Sequence, residues 1–125
     1  MTREEILAME PGYELDRLVA ETVMNWHLVS GAMFSDWVDS GGLKKCGKEW
    51  FNPSTDIKVA WEVVKRIKEN KLFSVRRMFM DMLQIIISRK VAPNEVWLVM
   101  WPDVMWHVEP VDFCKAALLA VLEVD

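Results

Sequence analysis

His27, His107, Cys46 and Cys114 are the residues with which this chain could do acid–base, nucleophilic or metal chemistry. Their spacing asks for none of it. No HExxH, CxxC, glycine-rich phosphate loop or GxSxG occurs. A metal site assembled from His27, His107, Cys46 and a carboxylate has no spacing to recommend it. No catalytic residue, metal or cofactor is therefore expected. Cys46 lies among Lys44, Lys45 and Lys48, cations that would lower its thiol pKa and leave it open to alkylation, although a plain solvent-facing loop thiol is the simpler expectation. Cys114 falls in an apolar stripe and should be inert.

Lysine beside tryptophan offers binding chemistry instead. Lys44, Lys45 and Lys48 lie between Trp37 and Trp50, and a second basic group follows at Lys65, Arg66, Lys68 and Lys71. Phosphate attraction combined with stacking on an indole is how single-stranded nucleic acid or a nucleotide is gripped. The plainer alternative is a solvated helix face and a loop whose rings plug the end of a core. Seven tryptophans are more than a core of this size requires. Those left exposed would mark a partner surface or a ligand pocket. The candidates are Trp37, Lys48 and Trp50 in the loop, together with Trp97, Trp101, Trp106 and His107 in the stretch EVWLVMWPDVMWHVEP.

These residues must be held by secondary structure, which the apolar periodicity sketches. Thr2 and Glu5 form a capping box for a short helix that stops before Pro11-Gly12. Leu15, Leu18, Val19, Val23 and Trp26 recur at helical spacing from Tyr13, with Asp16 on another face. Residues 27–53 lose that period, and their glycines punctuate two short aromatic runs, Met33 to Val38 and Glu49 to Phe51, expected to form a hairpin joined through Gly41-Gly42, or else an ordered loop. The stretch PSTDIKVAWEVVKRIKEN reads as a helix capped by Ser54 or Thr55, with Ile57, Ala60, Trp61, Val64 and Ile67 as its buried stripe. Glu62 and Arg66 are spaced for an ion pair on the opposite face. A further helix is expected from Ser74, through Val75, Met78, Phe79, Met82, Leu83 and Ile86. Residues 96–101 alternate Val96, Leu98 and Met100 against Trp97, Val99 and Trp101, a strand apolar on both faces, continued by Val104 to Val108. The last helix starts near Pro110.

A small sheet with two apolar faces, covered by these helices, gives a three-layer α/β/α sandwich with a mostly antiparallel sheet. At 125 residues the expectation is one domain spanning 1–125. Charged residues make up 27%, and no stretch approaches the roughly 18 apolar residues of a membrane span, so a membrane role is not expected. The formal charge of −4 lacks the electrostatic footprint of a double-stranded DNA binder. Unpaired cysteines and a start without an apolar signal segment place the chain in the cytoplasm.

Three stretches carry a resemblance: MTREEILAMEPGYELDRLVAETVMNW at 1–26, NPSTDIKVAWEVVKRI at 52–67 and CKAALLAVLE at 114–123. Together they resemble the phage ABA sandwich domain family of small phage and prophage proteins. Membership would imply the α/β/α sandwich and an origin in a bacterial virus, hence a bacterial host cell, and would imply no activity. The stretch 73–92 departs from the family pattern in reading as helix. With catalytic groups scarce, the expected function is a non-catalytic module that binds a host or phage protein or associates with itself as a homodimer. The alternative is a nucleotide- or small-ligand-sequestering protein built on Trp50 and Lys48.

Overall fold

A computed structural model describes residues 2–93 and 101–123. The first helix, α1 (Arg3–Leu7), is capped as its sequence demands, with the Thr2 hydroxyl accepting from the Glu5 N–H at 3.2 Å. Pro11-Gly12 breaks the chain before α2 (Tyr13–Thr22), which buries Leu15, Val19 and Ala20. Asp16, expected on a solvated face, is buried with them. Asn25, at φ 57°, turns the chain out of α2, in a left-handed conformation that asparagine tolerates better than most residues.

The glycine-punctuated stretch folds as a three-stranded antiparallel meander, in the order β1 (His27–Ser30), β2 (Ser35–Val38), β3 (Lys44–Gly47). A hairpin turned through Gly41-Gly42 joins β2 to β3, with Gly42 at φ 85°, but its second arm is Lys44–Gly47 and not the expected run Glu49 to Phe51. The strand His27–Ser30 was not apparent from the sequence. Leu28, Trp37 and Cys46 stand side by side across the sheet, and this row packs on the core. Glu49 to Phe51, read as an aromatic run that could pair, lies beyond the third strand, where Lys48–Trp50 forms a single 3₁₀ turn.

The next helix, α3 (Ile57–Lys68), is capped by Asp56, which accepts from the Lys58 N–H at 2.9 Å, so Ser54 and Thr55 are not its caps. Its buried line is Ala60, Val63 and Ile67. The helix is therefore rotated away from the expected stripe, and Trp61 is 50% exposed with its ring 5.4 Å from that of Phe113. Glu62 and Arg66 form no ion pair among the described residues. The long helix α4 (Phe73–Val91) follows the expected period through Val75, Phe79, Met82, Leu83 and Ile86.

The expected strand at 96–101 lies outside the described residues as far as residue 100, Trp97 included. Its continuation is corrected: Trp101–His107 forms α5, a two-turn helix instead of a strand. The final helix, α6 (Pro110–Glu123), starts at the expected proline. It is apolar nearly all round, so it can be stable only as a buried element. The helices α1, α2, α3 and α4 all pack against it, and Ala116, Ala117 and Ala120 let them approach closely. The result is a mixed α/β sandwich, with six helices and an open antiparallel sheet among the described residues.

Candidate functional site

The 3₁₀ turn after β3 decides where Trp50 goes. It carries the indole back over Gly47, so that a Cβ on Gly47 would sit 3.2 Å from Trp50 Cδ1. The ring therefore lies along the sheet surface yet remains 72% exposed. Across from it, the tight β1–β2 turn presents Met33 and Phe34, 84% and 69% exposed. Between Phe34 and Trp50 runs a groove of about 470 Å³, floored by Cys46 and Gly47 and edged by Asp36, Lys44 and Glu49.

Its charges decide what the groove can hold. Two carboxylates, Asp36 and Glu49, face one ammonium, and Lys44 is already drawn to Asp36 at 3.6 Å. A phosphate entering here would meet net negative charge. Lys48, expected to serve beside Trp50, is turned elsewhere, with its Nζ 4.6 Å from the centroid of the Tyr13 ring in a cation–π contact. The expectation of a lysine-activated Cys46 is also overturned: burial pushes its thiol pKa up, Asp36 adds to the rise, and only Lys44 opposes it.

Trp37 cannot serve a partner, because it is 1% exposed on the inner face of β2. The sequence left its run as a hairpin arm or a loop without fixing which way the ring points, and strand alternation turns it into the core. Trp101, Trp106 and His107 come together on α5. Trp101 is half-buried, Trp106 and Met105 are exposed, and the His107 carbonyl accepts from Lys90 Nζ at 3.3 Å. The tryptophan candidates thus fall on two separate elements, the sheet rim and α5. Met33 and Phe34 were missed as site residues. The available signal was an apolar pair at a turn otherwise made of small residues, Gly31-Ala32-Met33-Phe34.

The two basic clusters do meet, in a cleft of about 420 Å³ between the sheet end and α3. Lys45, Lys65 and Arg66 line it, but so do Asp39, Glu62 and Glu69, which makes its formal charge zero. Lys45 is held 3.5 Å from Asp39. Lys65, Arg66 and Lys68 lie in the last turn of α3, where they complement the helix dipole. Among the described residues no group of three or more His, Cys, Asp or Glu side chains is placed to hold a metal. No described helix is long and apolar enough to cross a membrane.

Helices packed with a small antiparallel sheet that carries an aromatic rim define a class of small α/β sandwich domains. The profile of the phage ABA sandwich domain matches residues 17–118, and the chain belongs to that family. No curated protein and no solved structure gives a significant match.

Proposed function

We propose that this chain is a non-catalytic protein-binding module of phage or prophage origin, acting in the cytoplasm of the bacterial host. It would engage a host or phage protein through the sheet rim formed by Met33, Phe34 and Trp50. The observation that carries this reading is the exposure of Phe34 and Trp50 on one groove whose charges disfavour phosphate, with Met33 exposed beside Phe34 in the same turn. Exposed aromatic anchors of this kind dominate the energetics of protein interfaces, where tryptophan is enriched. The nucleotide alternative is less well supported, because Lys48 stacks on Tyr13 and does not reach the groove beside Trp50.

The test compares the parent with Phe34→Ala and Trp50→Ala as baits in host lysate. A partner captured in stoichiometric amount by the parent and lost from both variants supports the reading; one retained fully by both overturns this surface. A panel of nucleotides in a thermal-shift measurement addresses the alternative. A concentration-dependent rise in Tm that Trp50→Ala abolishes would transfer the groove to a small ligand.

A further inference from the structure

The sheet has two edges, and they are unlike. The edge at β3 begins with Lys44 and Lys45, charges of the kind that keep strands from pairing with foreign ones. The edge at β1 reads His27-Leu28-Val29-Ser30, with no lysine, acid or proline, and no strand covers it among the described residues. Which backbone groups it offers follows from the ladder. Gly31 N–H donates to the Phe34 carbonyl at 2.7 Å, and hydrogen-bonded pairs alternate along an antiparallel pair. The β1–β2 register aligns Val29 with Asp36 and His27 with Val38. Val29 and His27 therefore turn their backbone groups toward β2. Leu28 and Ser30 turn theirs to the open edge.

We infer that β1 pairs with β1 of a second copy, antiparallel about a twofold axis at Val29, joining two three-stranded sheets into one of six strands. This register follows from the spacing of the free groups. Leu28 opposes Ser30 of the other copy and Ser30 opposes its Leu28, so all four outward N–H groups and all four carbonyls of the two edges face partners. Val29 then meets its own copy as a non-hydrogen-bonded pair, the position of closest side-chain approach. Val29 is half-exposed and β-branched, suited to such a contact. A second copy is the occupant because the strand carries no lysine, arginine or acid to repel its own copy, whereas β3 paired with itself would bring its lysines into apposition. The contact is isologous and closes at two copies. A four-residue edge makes it a reversible, concentration-dependent association. It does not use Phe34 or Trp50 and stands apart from the rim proposed above.

Sedimentation velocity of the full chain up to about 1 mM, the range in which such a weak contact would populate, tests this. The expected mass rises with concentration from 14.6 kDa toward twice that value. Val29→Lys, at a site open to solvent in the monomer, should weaken the dimer by about tenfold or more through like charges on the axis. Ser30→Pro should weaken it too, since it removes two outward donors and none directed at β2. In a Cys46→Ser background, mild oxidation should cross-link Val29→Cys, because the Cα separation of such a pair, about 4.5 Å, suits a disulfide. Ser30→Cys should not cross-link, since it faces Leu28 of the other copy. A mass of 14.6 kDa at every concentration overturns the pairing. So does a dimer undiminished by both Val29→Lys and Ser30→Pro, or cross-linking of Ser30→Cys as fast as that of Val29→Cys. Phe34→Ala and Trp50→Ala should dimerise like the parent, so failure of the rim reading and failure of this one are told apart.

Discussion

The Asp16 carboxylate, only 5% exposed, accepts a 2.8 Å hydrogen bond from the backbone N–H of Ser54, 38 residues away. The Ser54 hydroxyl in turn accepts from the Gly12 N–H at 2.9 Å. A carboxylate inside α2 thereby fastens the lead-in to α3, and Ser54 is a tether between segments instead of a helix cap. Burial raises the Asp16 carboxyl above its usual 3.8, with the hydrogen bonds from Ser54 pulling the other way.

A raised value in the folded state means that ionisation costs stability. The penalty is absent well below 3.8, grows as pH rises through the interval between the unfolded and folded values, and is complete at neutrality. Asp16→Asn keeps the acceptor and removes the charge, so it should be more stable than the parent at neutral pH and converge with it in acid. Asp16→Ala strands the Ser54 N–H and should cost about 1–3 kcal/mol at every pH. Urea midpoints of the three proteins across the acid-to-neutral range check this. An Asn variant less stable than the parent at neutrality would show that the ionised group is favoured.

The two thiols should both be sluggish. Burial, with Asp16 and Asp112 nearby, raises the Cys114 pKa far above that of a free cysteine, and burial raises that of Cys46 as well. In native buffer Cys46 should alkylate several-fold more slowly than a cysteine in an unstructured peptide, and Cys114 not at all until the chain is unfolded. Mass spectrometry after timed iodoacetamide exposure resolves the two sites. Rapid labelling of Cys46 would restore the lysine-activated thiol expected from its neighbours in sequence.

The core's centre of gravity lies on α6, which sets an order on two truncations. Leu118 is 1% exposed, and Leu118→Ala should cost about 2–5 kcal/mol. Trp61 is half-exposed and contributes mainly its contact with Phe113, so Trp61→Ala should cost only about 1–2 kcal/mol. Denaturant unfolding of the two variants tests the ranking. A Trp61→Ala penalty equal to or above that of Leu118→Ala would return the indole to the core.

That ranking also shows what the residue pattern carried. The helices at 13–22, 73–91 and 110–123 were legible because each has an apolar stripe or run longer than two turns, with Pro11-Gly12 before the first and Pro110 opening the last. On α3 the stripe was harder to place: Ile57, Val59, Ala60, Trp61, Val63, Val64 and Ile67 cover more than half the helix surface. Periodicity alone cannot choose the centre of so wide an arc, and packing on α6 selected Ala60, Val63 and Ile67. The sheet was legible only as a turn, because four-residue strands are too short for alternation to stand out, and β3 is mostly polar. The α5 segment carried an alternating apolar pattern that argued for a strand. Seven residues suffice for a helix once tertiary contacts hold it, and α5 packs on α4. Of the candidate residues, Trp50 and Trp106 are exposed rings, whereas placing Trp37 required the strand phase that the sequence left open.

The last test concerns the junction of α4, α5 and α6. Lys90, near the end of α4, donates to the His107 carbonyl that closes α5, to Glu109, and to Asp112 at 3.2 Å. Asp112 is buried, and it also accepts from the Glu109 N–H at 2.8 Å, the reciprocal half of a capping box at the start of α6. Burial lowers the Lys90 pKa, but its two carboxylate partners outweigh that and leave it raised. The lysine side chain is 37% exposed, so water screens part of the attraction. Lys90→Ala should therefore cost about 1–2 kcal/mol, less than the 3–5 kcal/mol of a fully buried pair. Asp112→Ala should cost a similar amount, through the lost cap as well as the lost pair. Because each loss includes the shared contact, the double variant should be less destabilised than the two singles added together, by roughly 0.5–1 kcal/mol. Additivity within about 0.3 kcal/mol in urea unfolding would show that Lys90 and Asp112 act independently, and that α6 is capped without help from α4.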